Sequence, residues 1–142
     1  PEIPSPSNYQ PKQALTRLWQ VQEVEHNLNQ PTHQLVDARS AERFRGEQEP
    51  IDPVSGHIPS AICLPSADNL VPSGLFKTPE DLRERFADIS STNTVCYCGS
   101  GVTATHNILA MRLAGMAEPV LYADSWSGWI TDSDRPIATA NT

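Results

Sequence analysis

Short apolar runs that alternate with helix-patterned stretches constrain this chain more than any other feature. Gln34-Leu35-Val36-Asp37, Ala61-Ile62-Cys63-Leu64, Thr94-Val95-Cys96-Tyr97 and Val120-Leu121-Tyr122 each read as a short buried strand, and Leu15-Thr16-Arg17-Leu18 as a further one. Apolar residues at Val21, Val24 and Leu28 have helical spacing and predict a helix over 21–29. Ser40 suits the N-cap of a short helix through Phe44. Thr78-Pro79-Glu80-Asp81 is a helix start, with Thr as cap, Pro at the first position and acids in the first turn; that helix runs on through Leu82, Phe86 and Ile89. A helix over 102–113 stops at Gly115, and a short one follows over 125–130. The prolines between Gly46 and Gly56 make that stretch loop, and 66–75 is mostly loop. Strands alternating with helices predict an α/β fold, a central parallel sheet flanked by helices on both faces. In such sheets the reactive site lies beyond the carboxyl ends of the strands.

The 142 residues suit one domain, long enough to bury a core without staples. Seventeen acids against ten bases give a formal charge of −7, which argues against nucleic acid as a partner. A local basic site for a small anion stays open. The three cysteines are an odd number and two of them, Cys96 and Cys98, are two apart, so a disulfide framework is not expected and at least one thiol is free. No apolar stretch is long enough to span a bilayer, no membrane partner is expected, and no signal peptide is visible. In a piece of a longer protein missing signals say little about compartment; the expectation is the cytoplasm. The chain opens on Pro1 rather than Met and reads as a piece of a longer protein. Residues 1–13, rich in Pro and Ser, read as an interdomain linker or arm, and 14–142 as the domain.

The chemistry concentrates in Thr94 to Ala104, TVCYCGSGVTA. A buried strand delivers Cys98 to a turn, and the turn opens a helix. Gly99 and Gly101 let the backbone curl, so successive N–H groups point inward as an anion nest. The helix adds the positive end of its dipole. A thiolate there is stabilised and its reactivity rises. The same cradle suits the terminal sulfur of a persulfide.

CGSGVTA resembles the active-site loop of the rhodanese superfamily. Other blocks agree with it in order: Val36-Asp37-Ala38-Arg39 with Arg43-Phe44-Arg45-Gly46, then Gly56-His57-Ile58-Pro59-Ser60-Ala61, Gly74-Leu75-Phe76-Lys77, and 121–129 with its paired tryptophans. The resemblance is to the carboxy-terminal, catalytic domain of a tandem-domain thiosulfate or 3-mercaptopyruvate sulfurtransferase. It implies a rhodanese-like three-layer sandwich and a Cys98 persulfide filled from a small anionic sulfur donor. A thiol, cyanide or a thioredoxin-like acceptor empties it. Gly99, Gly101, Val102 and Thr103 then supply substrate-binding N–H groups, Ser100 assists proton transfer, and Arg43 holds the donor's carboxylate or sulfonate. No metal or organic cofactor is implied. Thiosulfate-type members carry Arg and Lys after the cysteine; Gly99 and Ser100 stand there, as in mercaptopyruvate enzymes. Those enzymes have a second arginine before Gly-His-Ile, at a place that falls on Ile51 in a shorter loop. The family's Tyr-Asp-Gly-Ser-Trp reads Tyr122-Ala123-Asp124-Ser125-Trp126 here. The partners of the loop serine come, in the family, from an amino-terminal sibling domain.

Rival readings are weaker. A cysteine phosphatase needs Cys-x5-Arg, and six places after Cys98 stands Ala104. A rhodanese-like sulfur-carrier or partner-binding module with little activity without its sibling domain remains the alternative. Zinc needs two ligands beyond Cys96 and Cys98, and no second pair exists. Cys63 reads as core, Trp126 and Trp129 as core or pocket wall. His57 reads as a structural hydrogen bond, His106 as surface or packing, and Asp37 with Arg39 as organisers of a strand end; His26 and His33 have no partner pattern.

Overall fold

In Gln34–Asp37 and Thr94–Tyr97 successive side chains point to opposite faces, and both faces are buried. Leu35, Val95 and Tyr97 join Val24, Phe44, Trp126 and Trp129 in one apolar cluster. Val36 and Cys96 join Leu82, Phe86, Ala104 and Met111 in the other. That double burial is what a parallel sheet between two helical layers requires.

The computed structural model describes residues 7–10, 12, 14 and 16–140. The elements run β1 (Leu18–Trp19), α1 (Val21–Asn29), β2 (Gln34–Asp37), α2 (Ala41–Arg45), β3 (Ile62–Cys63), α3 (Pro79–Arg85), β4 (Thr94–Tyr97), α4 (Ala104–Leu113), β5 (Val120–Tyr122) and α5 (Ser125–Trp129). Single 3-10 turns at Ser66–Asn69 and Ser91–Asn93 precede α3 and β4. All strands are parallel, in the order β1-β5-β4-β2-β3. α1, α2 and α5 contribute to the first cluster, α3 and α4 to the second. The expected α/β sandwich is present. No helix among the described residues is long and apolar enough to cross a membrane.

Several boundaries differ from expectation. The expected arm at 1–13 lies mostly outside the described residues, as does Leu15. The first strand is Leu18–Trp19 rather than 15–18, because only those two residues pair with Leu121 and Tyr122 at the sheet edge. β3 is also an edge strand, two residues long and half-buried, not a buried run of four. Ser40 stands at the N-cap position of α2 but makes no side-chain cap bond there, and the helix extends to Arg45, where Gly46 ends it at φ 77°. α3 stops at Arg85: Phe86 turns out of helical geometry, though it and Ile89 still pack on the core. α4 begins at Ala104, because 102–103 belong to the turn.

The sheet sets the site. β4 lies between β5 and β2, so Cys98 emerges at its middle. Ala38 N–H donates to the Tyr97 carbonyl at 2.9 Å, which carries the β2–β4 pairing to the same rim. From there 38–40 lead into α2 and Arg43.

Candidate active site

Two anchors hold the start of the Cys98 loop. The Cys98 N–H donates to Ser125 Oγ at 3.1 Å, and that hydroxyl donates in turn to the Tyr122 carbonyl at 3.0 Å. The Cys98 and Gly99 carbonyls accept from the N–H groups of Trp126 and Ser127 at 3.0 and 2.9 Å. Ser125 sits at φ 54°, an uncommon conformation for a residue with a side chain, which its two bonds over-determine. Gly101 has φ +82°, and a methyl group there would collide with the Ala123 carbonyl. The turn therefore needs glycine twice over. Among the described residues, the N–H groups of Gly99, Ser100, Gly101, Val102 and Thr103 take no hydrogen-bond partner. α4 then starts, adding its positive end to the same run of donors.

A cavity of about 340 Å³ opens over this loop, lined by Cys98, Gly99, Ser100 and Thr103, by Arg39 and Arg43, and by Asp52 and Ser127. Five of the expected site residues, Cys98, Ser100, Gly99, Thr103 and Arg43, thus share one space. Gly101 and Val102 do not line it: Gly101 is buried against Ala123, and the Val102 side chain faces solvent. Cys98 is almost wholly buried yet borders the cavity. The other thiols are poorly suited to react. Burial, with a smaller push from Asp37, raises Cys63 to about 11; burial, with a smaller push from Cys98, raises Cys96 to about 12.

Two guanidiniums and three carboxylates form an ion cluster beside the cavity, of which Arg39, Arg43 and Asp52 line it. Arg39 donates to both Asp37 oxygens, at 2.7 Å from Nη2, and to the Gly56 carbonyl at 2.6 Å, over the Trp126 ring. Burial works against its charge, but the bond to Asp37, with the charges of Asp37 and Glu49, holds its pKa above the ordinary value. Arg43 donates from Nε and Nη2 to Glu49, at 2.6 Å for the shortest contact, and from Nη2 to Asp52 Oδ2 at 3.2 Å. Burial opposes ionisation of Glu49, yet bonds from Arg43 and from the N–H groups of Asp52 and Ile51 keep its pKa below the ordinary value. His57 is structural, as expected: its Nδ1 donates to the Phe44 carbonyl at 2.6 Å and its ring stacks on Phe44. His106 stacks on Phe76, away from the cavity lining. Among the described residues no group of three or more His, Cys, Asp or Glu side chains converges as a metal site.

The rhodanese-like domain family matches residues 20–132. The chain belongs to this family. The rhodanese-like domain is 48% identical over 140 residues to a protein of Pseudomonas aeruginosa named probable 3-mercaptopyruvate sulfurtransferase, covering 96% of the chain and 49% of that protein. It is 36% identical over 131 residues to human 3-mercaptopyruvate sulfurtransferase, covering 89% and 44%. The crystal structure of Tum1 protein from Saccharomyces cerevisiae superposes with a TM-score of 0.75 at 27% identity, over 87% of this chain and 46% of that one. The rhodanese-like domain therefore spans about half the length of the curated relatives it matches.

Sequence reading passed over three residues of the rhodanese-like site. Ser125 holds the Cys98 N–H, Ser127 lines the cavity, and Asp52 joins Ser127 to Arg43, with Ser127 Oγ donating to Asp52 Oδ1 at 2.7 Å. The one available signal was an acid beside Ile51, in the loop where the resemblance departs.

Proposed function

We propose that this rhodanese-like domain is the catalytic half of a sulfurtransferase that carries sulfane sulfur on Cys98. The supporting observation is the single free thiol bordering a cavity rimmed by unbonded N–H groups and Arg43. The names of the relatives support the same reading.

The Cys98 thiolate attacks the sulfur of 3-mercaptopyruvate or the outer sulfur of thiosulfate. A Cys98 S–S bond forms as the donor's C–S or S–S bond breaks, and pyruvate enolate or sulfite leaves with the bonding pair. The enolate takes up a proton, which Ser100 helps deliver; its hydroxyl borders the cavity with no bond among the described residues. The loop N–H groups from Gly99 to Thr103 stabilise the anionic persulfide, and Arg43 faces the donor's anionic group. A thiol, cyanide or thioredoxin-like acceptor then attacks the outer sulfur and restores the thiolate, so kinetics are ping-pong. An amino-terminal sibling domain, joined through residues 1–13, completes the proton path; the half-length match is in keeping with it. The three free thiols suit a reducing compartment, and the cytoplasm is the proposed one.

Intact mass tests this. After incubation with mercaptopyruvate or thiosulfate the reduced protein gains about 32 Da, a gain removed by cyanide and missing from Cys98→Ser. No gain in either this chain or the full-length protein would overturn the reading.

A further inference from the structure

Arg43 is the one guanidinium that both borders the cavity and keeps an uncommitted end. Its Nη1 has no partner among the described residues, and a Cβ placed on Gly99 would stand 3.6 Å from it and 3.5 Å from Nη2. Next to that end lies the Asp52 carboxylate, 4.0 Å from the same point over Gly99. An anionic group held by Arg43 above Gly99, the residue after Cys98, would therefore meet Asp52.

The two carboxylates on Arg43 are not equivalent. Glu49 accepts from Arg43 Nε and Nη2, from Arg39 Nη1, and from the N–H groups of Ile51 and Asp52, at 2.6 to 3.3 Å. Its side chain is 4% exposed. Among the described residues Asp52 accepts only from Arg43 Nη2 and from Ser127 Oγ. Glu49 is built in and aims the guanidinium, whereas Asp52 holds one long contact to it and one hydroxyl. The cluster also carries an excess of one negative charge, two guanidiniums against Asp37, Glu49 and Asp52. An incoming anion that pairs with both the free Nη1 and the Nη2 now bonded to Asp52 is repelled by the group it must replace.

We infer that Asp52 is a specificity-setting residue that occupies the anion seat of Arg43, latched by Ser127, and that an anionic sulfur donor binds by displacing it. This deepens the proposed sulfurtransferase reading and rests on it for the identity of the donor. The latch lowers affinity for small anions and favours donors whose sulfur-bearing group also reaches the loop N–H groups.

The test separates the two. Pyruvate, a non-reactive carboxylate, is titrated calorimetrically into the full chain carrying Cys98→Ser, alone and combined with Asp52→Asn or Ser127→Ala. Removing the charge of Asp52 is expected to tighten pyruvate about tenfold, the scale of one close charge contact. Releasing the latch through Ser127→Ala is expected to tighten it by less, about threefold, the scale of one hydrogen bond. A merely structural Asp52 predicts the opposite sign, since a disordered cavity binds more weakly. Unchanged or weaker binding in both variants, each folded by circular dichroism, overturns the inference. With Cys98 intact, Asp52→Asn should lower KM for mercaptopyruvate. Tighter pyruvate binding without persulfide formation from any donor would keep the Asp52 assignment and sink the sulfurtransferase reading instead.

Discussion

Three cysteines sit in this chain, and their surroundings assign them different fates. Cys96 and Cys98 lie on the same face of β4 and its extension, in one apolar cluster, as their two-residue spacing predicts. Yet Cys96 is sealed under the helices while Cys98 meets the cavity. Cys63 is half-buried on the edge strand, and burial keeps it a thiol far above neutrality, at about 11. Alkylation of the native protein with iodoacetamide at pH 7 is therefore expected to mark Cys98 first. Cys63 should follow only as pH rises toward its own value, and Cys96 only on unfolding. Peptide mapping after a brief pulse checks this, and equal labelling of Cys63 and Cys98 at pH 7 would count against the assignment.

The strand–turn–helix unit of β4 and α4 holds the site through backbone geometry rather than side-chain identity. Gly101 combines a left-handed φ with contact against the Ala123 backbone, so no side chain fits. Gly101→Ala should cost more than about 1 kcal/mol, read as a lower urea midpoint, and should also reduce persulfide formation by disturbing the N–H run. Val102, one residue on, is solvent-facing. Its replacement by alanine should stay within about 0.5 kcal/mol. If both variants unfold at the wild-type midpoint, the turn is not under the constraint described. α5 contributes to the same unit from across the sheet, because Ser125, Trp126 and Ser127 bond the backbone of Cys98 and Gly99.

For the molecule as a whole, acid should be the weak side. His57 is fully buried, and burial, with the nearby charge of Arg39, keeps its pKa below the ordinary 6.5 despite the bond to the Phe44 carbonyl and the charge of Asp37. Its Nε2 has no partner among the described residues, so protonation would place an unpaired charged donor in the core. The unfolded chain takes up that proton first. Stability from this source is full above about pH 6.5 and is lost as pH falls through the lower folded value. Glu49 acts in the same direction further down: its lowered pKa means stability present above 4.5 that disappears as its carboxylate protonates. Urea midpoints should therefore be level from pH 8 to 7, decline below pH 6.5, and fall again below 4.5. His33 and His106, also held below 6.5 by burial, add to the same decline. A His57→Gln variant, whatever its absolute stability, should therefore show a shallower first decline; an identical pH profile would show that His57 is not a source of it.

Much of this was legible along the chain because its causes are local. The bounds of β2, β4, β5 and α1 agree with the reading, since apolar runs and helical spacing report burial that acts within a few residues. The Cys98 loop was legible for the same reason: a strand, two glycines and a helix start are contiguous. Boundaries failed where a neighbour decided them, as at β1 and β3, whose lengths follow from how many partners an edge offers. The ion cluster was legible only at its Asp37–Arg39 corner, two residues apart. Asp52 meets Ser127 across 75 residues, and Cys98 meets Ser125 across 27. Such contacts have no periodicity to announce them; they exist only because parallel strands return every connection to the same rim of the sheet. Local patterning therefore determines which cysteine is the candidate, Cys98, and the folded rim determines which charges stand over it.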